Sequence, residues 1–528
     1  MLSLRLKTFS SAKAASYHLP SPLKAASSRA TRFNSTKSNF HRVDSTGSIN
    51  PADAADATST ILADSLDFQK RIMPEATPNK VTWLAALKER KKQLAEGKVL
   101  DSFAYKTTKT SAITERTRDD SFSYLTLPFK DDKWLCDSYI NAAGNLRVGQ
   151  MFQDLDALAG RIAYRHCAPA EPVNVTASVD RIYMHKRVDE IEKYNFVLAG
   201  FVTWTGRSSM EIQVKGYAYD SEIPSEITPT SLPHDKCFLT ANFTFVARNP
   251  ETHKSFPINH LLPTTEAEWI DFKRAESHNV SKKLRAKLET LDKVPPTNEE
   301  SNIMHSMYLA SKKVSAIEDK PENLVFMKDS VINSTLMMQP QYRNRHSYMI
   351  FGGYLLRQTF ELAYCAVGSF ARAPPRFVSL DTTTFKAPVP VGSVLYMTAS
   401  VSYTEHVHEA NESADSISNL NRHLEDFDMP VSANKPSADE HEFMSMPGTL
   451  VQAKVDTTIR SLDNSEHKES GTFVYSFFVP RDENGTYDQP GYCSVIPQTY
   501  TEMMDYVEGR RRAIDTANYV QHLKGSSS

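Results

Sequence analysis

Residues 350–367 read IFGGYLLRQTFELAYCAV, and their pattern decides the fold. Gly352 and Gly353 make a loop that runs into a segment whose apolar residues Leu355, Leu356, Phe360, Ala363 and Val367 recur at helical spacing. About two hundred residues upstream the chain does the same: Gly149 leads into Met151, Phe152, Leu155, Leu158, Ala159 and Ile162. Each helix is followed by runs rich in Val, Ile, Phe, Tyr and Thr, the composition of strands. In the first unit these runs are 173–188, 194–205, 209–219 and 237–247; in the second they are 377–385, 393–404, 449–459 and 471–479. Single residues match too: Ser178-Val179-Asp180 with Ser379-Leu380-Asp381, Val202-Thr203-Trp204-Thr205 with Val401-Ser402-Tyr403-Thr404, and Arg248 with Arg481. The offsets of 201, 199 and 233 residues place an insertion in the second unit. The expected fold is α+β, with a central helix wrapped by a curved antiparallel sheet, occurring twice. The two sheets pair edge to edge into one continuous sheet, with two equivalent clefts at the interface.

The insertion, 405–447, is rich in Asn, Ser, Asp, Glu and His and reads as a disordered loop on a sheet edge. Between the units, Glu266 to Leu291 reads as a charged helix ahead of Pro295-Pro296. The organisation that follows is a transit segment 1–43, an N-terminal extension 44–130, a first domain 131–255, a helical linker 256–325, a second domain 326–510 and a C-terminal tail 511–528. Residues 1–43 carry eight Lys/Arg, nine serines and no acid before Asp44, the composition of a mitochondrial import signal. Arg32-Phe33-Asn34-Ser35 resembles a presequence cleavage site. Losing those eight positive charges takes the net charge from -2 to -10. With a pI near 6.8 the chain lacks the basic excess of a nucleic-acid binder. No apolar run approaches the roughly 18 residues that a membrane-spanning helix needs, so stable membrane insertion is not expected. Five scattered cysteines, with no C-x-x-C pair and no zinc-like spacing, read as reduced thiols and give no metal site.

The 350–363 stretch closely resembles the signature of the mitochondrial double hot-dog acyl-CoA thioesterases. So do Thr203-Trp204-Thr205-Gly206-Arg207-Ser208-Ser209-Met210-Glu211, Phe245-Val246-Ala247-Arg248 and Phe385-Lys386-Ala387-Pro388-Val389-Pro390-Val391-Gly392-Ser393. The matches run in order from about residue 134 to residue 510. This resemblance implies tandem hot-dog domains, an acyl-CoA substrate, no metal or other cofactor, a matrix location and assembly into a homo-oligomer.

Thioester hydrolysis needs an activated water or a carboxylate nucleophile, and donors aimed at the developing oxyanion. Helix N-termini preceded by glycine supply such donors, here at Gly149 and at Gly352-Gly353. Asp156 projects from the apolar face of the first helix, where desolvation would make it a stronger base. It also matches the position of the acid that the family uses as general base or nucleophile. The alternative is a structural carboxylate bonded to backbone or to an arginine such as Arg161. Asn145 matches the family's amide that orients water or the thioester carbonyl; equally, it is an ordinary loop residue after Gly144. The second unit departs from the pattern. Glu361 lies eight residues after Gly353, against seven from Gly149 to Asp156, and one residue is about 100° of helix rotation. Glu361 is therefore expected to face elsewhere, pairing with Arg357 one turn back. One cleft would combine Asp156 with Gly352, Gly353 and His346; the other, Asn145 with Glu361. Arg181, Lys186, Arg187, Arg207, Arg248 and Arg481 are candidates for the coenzyme A phosphates. Two other functions compete: a hot-dog enoyl-CoA hydratase or dehydratase, which would want an Asp and a His in one cleft, and a non-catalytic acyl-CoA-binding or scaffold protein.

Overall fold

The computed structural model describes residues 112–250, 252–288, 294–318, 320, 322–344, 349–407, 447–462, 467–481 and 491–525. The transit segment and most of the insertion fall outside them. In the first unit β1 (Ser123–Leu127) precedes α1 (Val148–Cys167), which is followed by β2 (Val173–Met184), β3 (Asn195–Thr205), β4 (Ser209–Tyr219) and β5 (Cys237–Arg248). Two helices connect the units, α2 (Glu266–Leu288) and α3 (Asn298–Ser315). The second unit repeats the programme with β6 (Ile332–Met337), α4 (Gly352–Ala371), β7 (Arg376–Leu380), β8 (Val394–Val407), β9 (Gly448–Arg460) and β10 (Lys468–Pro480), and α5 (Tyr500–Gly525) closes the chain.

One eleven-stranded sheet carries both units, in the order β1-β3-β4-β5-β2-β7-β10-β9-β8-β6, with Thr383–Thr384 also paired to β2. Read from the middle outward, the two halves have the same order. The junction obeys the repeat residue by residue. Ser379 lies opposite Tyr183 and Thr384 opposite Ser178, and each of these residues has its repeat equivalent 201 positions away in the other pair. Equivalent strands thus meet antiparallel about a local two-fold, and two edges that would otherwise be open are closed against each other. Inside the curve α1 and α4 pack together. Phe152 is wholly buried against Phe360, Phe377 and Tyr475, with ring centroids at 5.2, 5.4 and 6.4 Å. Each such aromatic contributes on the order of 1.5–3 kcal/mol of burial, so the contact between units is core rather than surface.

Several boundaries move. Ser123–Leu127 lies in the stretch read as an extension, yet it is an edge strand paired to β3 with alternate residues turned to the core. Glu405–Val407, assigned to the insertion, are the end of β8. Of the tail assigned to 511–528, residues 511–525 are the second half of α5. The helices after each sheet are themselves equivalent in their anchoring. Buried Asp180 on β2 accepts from Thr244 Oγ1 at 2.6 Å and pairs with Lys282 of α2. Its equivalent Asp381 accepts from Thr516 Oγ1 of α5 at 3.4 Å.

Candidate active site

The N-terminus of α4 has no side-chain cap of its own, because its N-cap residue is Phe351. Asp156, seven residues after Gly149, fills that role from the other unit. Its Oδ2 accepts the Gly353 N–H at 2.7 Å and its Oδ1 accepts the Thr176 hydroxyl of β2 at 2.8 Å. The glycines make this approach possible. A Cβ at Gly352 would stand 3.1 Å from Asp156 Oδ2 and 3.2 Å from Thr176 Oγ1, and one at Gly353 would stand 3.0 Å from Asp156 Cβ. Asp156 is 1% exposed. Burial pushes its carboxyl up to about 6, against the opposing pull of the Thr176 and Gly353 hydrogen bonds. The carboxylate is held by two donors, Thr176 and Gly353, while a proton on it is only mildly disfavoured at neutral pH; this is the poise that a general base needs. Arg161 is not among its hydrogen-bond partners. Of the residues expected here, Asp156, Gly352 and Gly353 come together; His346 lies outside the described residues.

The other cleft has a different construction. Phe360, seven residues after Gly353, takes the place that Asp156 holds in the first cleft: a Cβ on Gly149 would meet the Phe360 ring at 2.9 Å. Glu361 lies beside it, with its Oε1 3.3 Å from the same point, and accepts from Arg147 Nε at 2.8 Å, with its side chain 34% exposed. Arg357, the expected partner, is second at 3.9 Å. Asn145 and Glu361 line one cavity of about 480 Å³, together with apolar Ile140, Leu146, Phe360 and Phe377. Asn145 belongs to a loop tied by Asn141, whose Oδ1 accepts the Ala143 and Asn145 amides at 2.9 and 3.0 Å.

No family model matches the chain. Mitochondrial acyl-coenzyme A thioesterase 9 of Mus musculus is 28% identical over 429 residues, 80% of this chain and 83% of that protein. Mitochondrial acyl-coenzyme A thioesterase 4 of Humulus lupulus is 34% identical over 301 residues, 56% of this chain and 55% of that protein. Among solved structures, an apo-hexameric acyl-CoA thioesterase is 24% identical, matched over 34% of this chain and all of that chain, with a TM-score of 0.27. The chain is thus similar, over about four fifths of its length, to mitochondrial acyl-CoA thioesterases. Its tandem hot-dog units are those that the resemblance implied.

Most of the cations singled out from sequence take other partners. Arg181, a candidate phosphate ligand, instead donates to the Asp515 carbonyl at 3.2 Å and lies 4.8 Å from the Tyr519 ring, which fastens α5. Arg248 donates to the His253 carbonyl at 3.1 Å and Arg481 lies over the Tyr492 ring at 4.4 Å. None of these, nor Arg207, lines the cavity of the second cleft; Arg147, Arg187 and Arg376 do. Of the set first considered, Arg187 alone reaches it. Thr176, Arg147 and Arg376 were missed, because a lone Thr in a strand or an Arg beside a helix gives no signal until its distant partner is known. His166 bonds the Asn259 carbonyl at 2.9 Å and His185 bonds Thr240 Oγ1 at 2.7 Å, so neither is placed as an acid–base partner of Asp156. Among the described residues, Asp180, Glu211 and His278 bring possible metal-ligand atoms within 4.8 Å of one another. Lys282 and Arg274 already neutralise the two carboxylates, so the group is an ion-pair network holding α2.

Proposed function

We propose that the chain hydrolyses acyl-CoA thioesters to free fatty acid and coenzyme A, with Asp156 as the base. The observation that carries this reading is the wholly buried Asp156 carboxylate, oriented by Thr176 and by an amide at the start of the partner unit's helix. Asp156 takes a proton from water as its oxygen attacks the thioester carbon, and the carbonyl oxygen becomes an oxyanion. The Gly353 amide is engaged by the carboxylate, so oxyanion donation falls to Gly352, at the first helical position where no intrahelical acceptor exists. When the tetrahedral adduct collapses, the C–S bond breaks and the proton on Asp156 passes to the departing thiolate. Direct attack by the carboxylate, giving an anhydride that water then opens, uses the same geometry. The reaction needs no metal or other cofactor. The named relatives support a mitochondrial protein; the matrix, where acyl-CoA is consumed, and a homo-oligomeric assembly complete the reading. No helix among the described residues is long and apolar enough to cross a membrane.

The test follows free thiol release from acyl-CoAs of graded chain length. Wild-type protein is expected to release coenzyme A, and Asp156→Ala to lose at least about 100-fold of that rate, the span of general base catalysis. Absence of release from every acyl-CoA would overturn the function, and an unaffected Asp156→Ala protein would overturn the assignment of the base.

A further inference from the structure

Each unit anchors the start of its central helix by the same backbone contact. In the first, the N-cap residue Arg147 donates its N–H to the Tyr139 carbonyl at 2.6 Å; in the second, the N-cap residue Phe351 donates to the Tyr342 carbonyl at 2.8 Å. Two residues further along each loop, the Asn141 N–H donates to the Asn145 carbonyl and the Asn344 N–H to the Met349 carbonyl, both at 2.8 Å. Tyr139 and Tyr342 are therefore structural equivalents, but their side chains are used differently. Tyr139 is buried and its hydroxyl donates to Asp154. The half-buried Tyr342 instead stacks its ring on Tyr354, with centroids 4.0 Å apart and planes 15° apart. Tyr354 directly follows Gly353, and helical side chains lean toward the helix N-terminus, so the stacked pair lies over the first turn of α4. In α1 the residue after Gly149 is Gln150, which cannot form such a stack. The clamp thus belongs to the one helix start that Asp156 caps.

We propose that Tyr342 is a positioning residue for thioester hydrolysis: its ring, stacked on Tyr354, fixes the loop that presents the Gly352 amide to the oxyanion and the Gly353 amide to Asp156. The proposal rests on the reading of Asp156 as the base. Tyr342 acts through the helix start and not on the reacting atoms. Its carbonyl would accept the Phe351 N–H whatever the side chain, so the ring is what distinguishes this residue from any other at the position. A stacked aromatic pair biases the held arrangement roughly three- to tenfold, which sets the size of effect to expect.

The experiment compares the full chain with its Tyr342→Ala and Tyr342→Phe variants by two readouts. One is amide hydrogen exchange, by mass spectrometry, in the peptide spanning residues 350–356; the other is the pH dependence of kcat and KM for thiol release from palmitoyl-CoA. Tyr342→Ala is expected to exchange about three- to tenfold faster in that peptide and to lose a similar factor in kcat, with KM within about twofold of wild type. Its kcat/KM should also begin to rise at a higher pH than the value of about 6 set by Asp156, because the Gly353 N–H favours the ionised carboxylate and is now less well held. Tyr342→Phe keeps the stack and loses only the hydroxyl, so it is expected to match wild type in every readout. If Tyr342→Ala fails to fold, Tyr354→Leu removes the stack from the other side and should show the same faster exchange and the same displaced pH limb. Unchanged exchange, an unmoved limb, or equal losses in Tyr342→Phe would overturn the proposal. Asp156→Asn, assayed alongside, separates the two readings. Thiol release retained in Asp156→Asn would overturn the base and with it the catalytic meaning of the stack, whereas release lost in Asp156→Asn with exchange unchanged in Tyr342→Ala would overturn the positioning role alone.

Discussion

Asp156 combines two demands that usually conflict. It is buried deeply enough to raise its affinity for a proton, yet two donors keep its ionised form tolerable. The ionised form is the active one, so kcat/KM should rise as pH increases through about 6. Thr176 donates to the carboxylate and stabilises the anion; Thr176→Val should therefore move that limb upward by about one pH unit and lower the rate at neutral pH. A pH–rate profile of the two proteins checks this, and an unmoved limb would remove Thr176 from the site. Gly352→Ala places a Cβ 3.1 Å from Asp156 Oδ2 and should cost about tenfold or more in turnover with less effect on Tm. Asp156 was legible in sequence because an acid on an apolar helical face is unusual. Arg147 and Glu361 were not legible as a pair, because 214 residues separate them and helical spacing pointed to Arg357 instead.

The helices and strands were legible where a single period dominated. Seven of the eight strand-like runs became long strands; in the run 377–385 the chain bends after Leu380 and resumes pairing at Thr383. β1 and β6 escaped notice because they are only five and six residues long, too short for a period to stand out. α5 escaped because Arg510, Arg511 and Arg512 interrupt its apolar positions, although Tyr506, Val507 and Ala513 are buried. Its hold on α3 is electrostatic as well: Arg511 donates to both oxygens of Glu300 at 2.6 and 2.7 Å. That pairing is the main cause of the fall of the Glu300 carboxyl from 4.5 to about 2. A depressed acid stabilises the fold fully above its unfolded value and loses that contribution as pH falls toward its folded one. Arg511→Ala should therefore lower stability at neutral pH by about 2 kcal/mol and flatten the loss of stability between pH 4.5 and about 2. Denaturant unfolding across pH measures both effects, and identical curves for the two proteins would contradict them.

Two copies of one design have diverged within a single chain. The sheet retains the symmetry, down to the matched pairs Ser379–Tyr183 and Thr384–Ser178 at the junction, because backbone pairing tolerates changed side chains. The clefts do not retain it. A shift of one residue puts Phe360 against Gly149 and leaves Glu361 beside it, ion-paired with Arg147, so one cleft has a wholly buried carboxylate and the other a partly exposed, paired one. The repeat and its asymmetry were visible in the spacing of glycine and acid; which cleft is equipped for chemistry depended on contacts between units that no local pattern records. The decisive measurement is the steady-state release of coenzyme A from a long-chain acyl-CoA by Asp156→Asn and by Glu361→Gln, each matched to wild type by Tm. The expected result is a loss of at least about 100-fold for Asp156→Asn and a change within about threefold for Glu361→Gln, whose ion pair is partly solvated. A collapse of activity in Glu361→Gln with Asp156→Asn still active would contradict the assignment and move the chemistry to the other cleft.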